Sequence, residues 1–233
     1  VRGPYLALAL ALFALGVVIA LARLPRIPTG DEADAARGTH ALPAWRVRHL
    51  VLGAVGIFVY VGAEVAIGSF LVNFFGLPQI AGMAEREASQ YVAYYWGAAM
   101  VGRFIGAALL RTIAPGKLLA ACAVAAGALT LGAVLATGMP ALWMILAVGL
   151  FNSIMFPTIF TLAIRGLGGR TGEGSSLLVM AIVGGALIPL AHGALADRVG
   201  LQPAFLLPAV CYLYIVFYGL VGSRPVAGQV VPD

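Results

Sequence analysis

Charges are scarce in seven stretches of this chain, and each stretch is long enough to cross a lipid bilayer. They fall at roughly residues 5–23, 47–75, 90–111, 118–138, 140–165, 175–196 and 203–222. A helix rises about 1.5 Å per residue, so about 20 apolar residues match a hydrocarbon core about 30 Å thick. Lipid cannot satisfy a backbone N–H or C=O, which leaves helices or a closed barrel as spanning structures. Runs of this length without period-2 alternation predict helices. Apolar residues make up 62% of the chain and charged residues 10%. A soluble domain carries about a quarter charged, so the chain reads as an all-α, polytopic membrane protein.

The basic residues then set an orientation. Arg23, Arg26, Arg37, Arg46, Arg48, Arg111, Lys117, Arg165, Arg170 and Arg224 fall on one side, and only Arg2, Arg86 and Arg198 on the other. The richer side is the cytoplasm. The expected organisation is a first helix at 1–23, a cytoplasmic linker at 24–46, a six-helix bundle at 47–224 and a cytoplasmic tail at 225–233. The linker holds Pro25, Pro28 and Pro43 and the acidic Asp31, Glu32 and Asp34, which suits a solvated segment. The formal net charge of +5 comes from scattered residues at span ends. With no basic stripe or interleaved aromatics to follow phosphates, nucleic acid is not an expected partner, whereas membrane lipid is. Cys122 and Cys211 stand alone in apolar runs, and no metal-ligand spacing or cofactor motif is visible. The opening Val1-Arg2-Gly3-Pro4 runs straight into a span, so we expect an earlier part of the protein to be missing.

The fifth span is the most polar in character. Phe151-Asn152-Ser153-Ile154-Met155-Phe156-Pro157-Thr158-Ile159-Phe160 puts an amide, hydroxyls, phenyl rings and a helix-breaking proline at membrane depth. Other protein or a water-filled cavity has to satisfy these groups. Asn152 lies thirteen residues from Arg165 and Glu64 fifteen from His49, placing both about 20 Å in, near mid-membrane. A faint repeat accompanies them. Gly97, Gly106 and Arg111 match Gly184, Gly193 and Arg198 at an offset of 87, which predicts two three-helix units of opposite topology, the inverted-repeat plan of secondary transporters.

Four strings carry a family resemblance: Val59-Tyr-Val-Gly-Ala-Glu64 continuing to Asn73, Gly102-Arg-Phe-Ile-Gly106, the fifth-span decad, and Gly174-Ser-Ser-Leu-Leu-Val-Met180 continuing to Pro189. In this order they resemble the fucose permease and glucose/galactose transporter family of the major facilitator superfamily. The resemblance runs from the first span to the last. It implies a twelve-helix symporter of which this chain is the sixth helix, the central linker and the C-terminal six-helix half, with the first five helices absent. It further implies a bacterial cytoplasmic-membrane protein, a sugar substrate and H⁺ or Na⁺ as coupling ion. Met155-Phe156 before Pro157 is closer to the glucose/galactose branch. The superfamily loop motif is degenerate at Gly106 to Arg111, while Gly193-x-x-x-Asp197-Arg198-x-Gly200 matches it on the outer side.

A hexose needs side chains that both donate and accept, plus aromatic faces to stack on. Glu64, Asn73 and Asn152 meet the first need, and Tyr94, Tyr95 and Phe156 the second. Each has an ordinary alternative. Asn152 suits an interhelical hydrogen bond, Phe156 suits packing, and Tyr94, Tyr95 and Trp96 suit an interfacial belt. Asn73 points away from Glu64 on an ideal helix unless Gly68 unwinds it. Glu64 is read either as a sugar ligand or as a proton carrier. Arg103 suits binding of backbone carbonyls better than an ion pair with Glu64, and Arg103, Gly106, Arg111, Pro157, Asp197 and Arg198 are candidate gating or structural residues. A seven-helix receptor is the competing class, without retinal because the one lysine, Lys117, lies in a loop. An enzyme is not expected, since no hydrolase or metalloprotease motif is present.

Overall fold

The computed structural model describes residues 2–21 and 44–225. Most of the expected linker, and the tail beyond 225, therefore lie outside the described residues. Helix α1 covers Arg2–Leu21 and leaves Leu6, Leu10, Phe13, Val18 and Leu21 exposed. A 3-10 turn at Ala44–Arg46 precedes α2 (Arg48–Gly76), α3 (Glu85–Leu109) and α4 (Pro115–Leu135). Then follow α5 (Gly138–Asn152), α6 (Met155–Ile164), α7 (Thr171–Met180), α8 (Gly184–Val199), α9 (Leu201–Ala204) and α10 (Leu206–Phe217). The last runs on as a π-helical turn at Tyr218–Gly222.

Among the described residues, five segments are both long and apolar enough to cross a membrane: Arg48–Gly76, Pro115–Leu135, Gly138–Ile164, Gly168–Val199 and Leu201–Gly222. They match five of the seven expected spans. Helix α3 is long enough at 25 residues but less apolar, because Glu85, Arg86, Glu87, Ser89 and Gln90 fill its first turns. It starts five residues before the expected 90, since acidic side chains suit a helix N-terminus. In α1 the apolar stretch that stands out is Ala9–Val18.

Proline chemistry accounts for the interruptions. Pro157 has no N–H for the carbonyl four residues back, at Ser153, and the fifth span breaks at 153–154 between α5 and α6. Pro208 relates in the same way to Ala204, where α9 gives way to α10. Gly200, at φ +92°, turns the chain between α8 and α9 in a conformation that favours glycine.

The helices pack as two related triples. Adding 87 to the bounds of α2, α3 and α4 gives 135–163, 172–196 and 202–222, close to the observed segments Gly138–Ile164, Gly168–Val199 and Leu201–Gly222. Contacts follow the same exchange. Helix α3 packs on α5, and its counterpart α8 packs on α2; α4 packs on α5, and its counterpart α10 on α2; α4 and α10 pack on each other. Small residues allow the close crossings, as usual between membrane helices. A side chain at Gly102 would meet the Leu150 carbonyl and the Ser153 hydroxyl, and one at Gly184 would meet the Phe58 backbone.

Polar ties close both ends of the bundle. Gln202 sets its amide nitrogen 3.1, 3.1 and 2.7 Å from the carbonyls of Ala133, Val134 and Ala136. Its two amide hydrogens are shared among these acceptors at the end of α4. At the other end, His49 Nε2 lies 2.9 Å from the Arg165 carbonyl, and the Tyr218 hydroxyl donates to the His49 carbonyl at 3.3 Å.

Candidate functional site

Helix periodicity puts Tyr60 one turn before Glu64 on the same face of α2. The Tyr60 hydroxyl lies 2.7 Å from Glu64 Oε1 and 2.9 Å from the backbone carbonyl of Asn152, the last residue of α5. The Asn152 side chain bridges two more helices. Its Nδ2 donates to the Tyr95 hydroxyl of α3 at 3.0 Å, and its Oδ1 accepts from the Tyr212 hydroxyl of α10 at 2.8 Å. Tyr60, Tyr95, Asn152 and Tyr212 are buried, and Glu64 is half-buried. Four helices thus converge on one polar cluster. Among the described residues, each buried side-chain polar atom of the cluster has a partner within hydrogen-bond distance, as burial demands.

Beside the cluster stands the break in the fifth span. Arg103 of α3 donates from Nε to the Ser153 carbonyl, the acceptor that Pro157 leaves without its helical partner, at 3.4 Å. This tie joins α3 to the fifth span. The guanidinium reaches that carbonyl, and no ion pair joins Arg103 to Glu64. Pro157 itself is exposed, and Gly106 packs against Ile154.

The sequence-expected residues divide by location. Glu64, Tyr95 and Asn152 come together. Phe156 is half-buried with its ring 6.1 Å from that of Phe160. Tyr94 is exposed and joins a rim of aromatic rings with Tyr91 and Trp143, at 5.7 and 6.3 Å. Asn73 stays apart as well. Helix α2 is continuous through Gly68, so the unwinding that would turn Asn73 inward is not present. Nine residues is half a turn off in phase, and Asn73 remains on the face opposite Glu64. There it lines an open groove of about 600 Å³ with Ser69, Val72, Gly76, Leu77, Met83, Glu85 and Ser89. Arg111, Asp197 and Arg198 are all exposed near helix ends.

Two cluster residues, Tyr60 and Tyr212, were not among the sequence candidates for binding. Tyr60 had a signal in its spacing of four from Glu64. Next to the cluster, the exposed Trp96 sets its ring edge-on to Tyr95 at 5.3 Å and lies beside Gly68, where a Cβ would sit 3.7 Å from it. Tyr212 had no local signal, because only the packing of α10 brings it to Asn152.

No protein-family model matches the chain. Over 226 residues it is 55% identical to a glucose/galactose transporter of Brucella abortus biovar 1 (strain 9-941), covering 96% of this chain and 54% of that protein. It is 33% identical over 228 residues to the L-fucose-proton symporter of Escherichia coli (strain K12), covering 96% and 52%. The crystal structure of the E. coli fucose:proton symporter superposes with a TM-score of 0.85 at 32% identity, over 96% of this chain and 55% of that one. The matched part is its C-terminal half. The chain spans about half the length of the curated relatives it matches. Those relatives are transporters, not enzymes.

Proposed function

We propose, for a chain that belongs to the fucose permease and glucose/galactose transporter family of the major facilitator superfamily, that it forms one wall of a symporter carrying a hexose such as glucose or galactose. The observation that carries this reading is the half-buried carboxyl of Glu64, held by Tyr60 beside an interrupted span. An acidic residue at mid-bilayer costs roughly 2.5–3.5 kcal/mol on insertion scales and therefore marks a function. A carboxylate accepts hydrogen bonds from sugar hydroxyls, and Trp96 and Phe156 offer ring faces to the apolar sides of a pyranose. Asn152 and Tyr95 hold the wall in shape, whereas Asn73 and Tyr94 belong to its outer mouth. Arg111, Asp197 and Arg198 serve the closing surfaces against the other half, Gly106 lets α3 approach Ile154 closely, and Pro157 provides the bend.

The coupling ion in this reading is a proton rather than Na⁺, supported by the relative named as a fucose-proton symporter. Residues 1–23 form the last helix of the N-terminal half, and the linker at 24–46 and the tail at 225–233 face the cytoplasm of a bacterial inner membrane. The ten-to-three distribution of basic residues supports that orientation.

The test is uptake of radiolabelled sugars by the complete transporter in proteoliposomes. Accumulation of glucose or galactose, collapsed by a protonophore and indifferent to a sodium ionophore, is the expected result. Uptake of neither sugar under any ion gradient would overturn the proposal. The 233-residue chain alone should show no saturable uptake, because alternating access needs both walls.

A further inference from the structure

One hydroxyl hydrogen in this cluster faces two acceptors. The Tyr60 oxygen is 2.7 Å from Glu64 Oε1 and 2.9 Å from the Asn152 carbonyl, and the phenol has a single hydrogen to give. The two acceptors differ in what they belong to. One is an ionisable carboxyl in an unbroken helix; the other is the last carbonyl before the break in the fifth span. We propose that Tyr60 is a positioning residue that couples the charge of Glu64 to that break, capping the Asn152 carbonyl when Glu64 is protonated and releasing it when Glu64 is ionised.

The bookkeeping of hydrogens supports this. A carboxylate is a stronger acceptor than a neutral carbonyl, so ionised Glu64 takes the Tyr60 hydrogen and leaves the Asn152 carbonyl without it. When Glu64 binds one proton from water, its new O–H donates to the Tyr60 oxygen. The phenol hydrogen then turns to the Asn152 carbonyl. One proton has been gained, at Glu64, and no other bond to hydrogen is made or broken. The neighbouring carbonyl of Ser153 keeps its Arg103 partner in both states, so the change at the break is confined to Asn152.

The groups facing Glu64 are few. Its own helix contributes Tyr60, α3 contributes Tyr95 and the positive Arg103, and α10 contributes Tyr212. Helix α5 brings the uncharged Asn152, and α8 meets this stretch of α2 through Gly184, Gly185 and Ile188. Helix α6, also packed on α2, carries no ionisable side chain, and His192 of α8 lies further along against Phe70, so among the described residues Glu64 is the one carboxyl in this neighbourhood. The inference rests on Glu64 lying within a membrane wall, but it requires neither sugar nor transport.

The chain contains two asparagines, Asn73 and Asn152. In an Asn73→Ser background, asparagine carrying ¹³C in its backbone carbonyl labels Asn152 alone, and infrared difference spectra of the 233-residue chain in lipid nanodiscs read that one carbonyl. The expected result is a shift of the labelled band to lower frequency on acidification, in step with the appearance of a protonated carboxyl band. In Tyr60→Phe the carboxyl band should still titrate while the labelled band stays fixed. In Glu64→Gln the labelled band should hold its low-frequency position at every pH. A labelled band that ignores pH in the otherwise native chain, or that moves equally in Tyr60→Phe, overturns the proposal. Either result leaves the sugar-transport reading standing, because that reading is tested by uptake.

Discussion

The two triples share a helix spacing and a packing pattern but differ in continuity. Helices α2, α3 and α4 are unbroken, at 29, 25 and 21 residues. Every segment of the second triple is interrupted: at 153–154, at the 3-10 turn Ala181–Val183, and between α9 and α10. Proline chemistry explains the first and last of these breaks, whereas α8 runs through Pro189 and the 3-10 turn at Ala181–Val183 has no proline beside it. The first triple keeps Pro115 in the first turn of α4, where the missing N–H is harmless. The second places Pro157, Pro189, Pro203 and Pro208 within its segments. One triple is thus a set of rods and the other a set of jointed pieces. The polar cluster sits where a rod meets a joint. A membrane wall that must bend without losing its register needs both kinds of element.

The contrast is most severely tested where rod and joint touch. Gly102→Val would drive a side chain into the Leu150 carbonyl and the Ser153 hydroxyl. Backbone cannot give way as a flexible side chain can, so destabilisation at or beyond the usual range of about 1–3 kcal/mol for overpacking is expected. Loss of the monodisperse peak in detergent chromatography is the measurement. A normally behaved Gly102→Val protein would show that α3 and α5 do not cross this closely.

Asn152→Ala should come next. It leaves the Tyr95 and Tyr212 hydroxyls without their shared partner, and each orphaned buried group costs about 1–3 kcal/mol. A fall in thermal midpoint is expected with the monodisperse peak retained, because hydroxyls can turn to new partners where the backbone at Leu150 cannot move aside. Tyr95→Phe in the Asn152→Ala background should then cost much less than Tyr95→Phe alone, because the bond is already gone. Equal costs in both backgrounds would remove Asn152 from the cluster.

Much of this was legible in the sequence, for definite reasons. The spans were legible because lipid leaves a chain no alternative to helices, and the break near Pro157 because a missing N–H acts locally. Glu64 and Asn152 were placed at common depth by counting along helices. What sequence could not supply was the pairing across helices. Nothing near Tyr212 or Tyr95 announces that one amide serves both. Asn73 shows the opposite failure. Unwinding at Gly68 was plausible locally, but it would sacrifice backbone hydrogen bonds in a continuous 29-residue helix, and no partner is at hand to replace them. The repeat was visible as a few Gly and Arg matches, and helix bounds at the same offset give it substance.

Pro157→Ala tests the joint itself with a smaller effect. It returns an N–H to the Ser153 carbonyl and allows α5 and α6 to join. A regained hydrogen bond contributes about 0.5–1.5 kcal/mol, so the thermal midpoint should rise slightly or hold. Sugar exchange by the complete transporter should slow several-fold, because a jointed span has become a rod. Unchanged exchange with a raised midpoint would mean that the break is a packing feature and that bending occurs elsewhere in the second triple.

The smallest effect is expected from Asn73→Ala, and it sharpens the comparison from the side of the rods. Asn73 is exposed on α2, half a turn in phase from Glu64, with its side chain in the open groove. Substitutions at such positions usually stay within about 0.5 kcal/mol in stability. Because α2 remains continuous, the same argument extends to binding: sugar affinity of the complete transporter should change less than about twofold, since a 1.4 kcal/mol loss corresponds to a factor of ten. Glu64→Gln, on the inward face, should weaken affinity by more. The pair of variants measured side by side reads the phase of the helix. If Asn73→Ala weakens sugar binding as much as Glu64→Gln, then α2 does not stay a rod while carrying sugar, and the unwinding at Gly68 belongs to the working cycle.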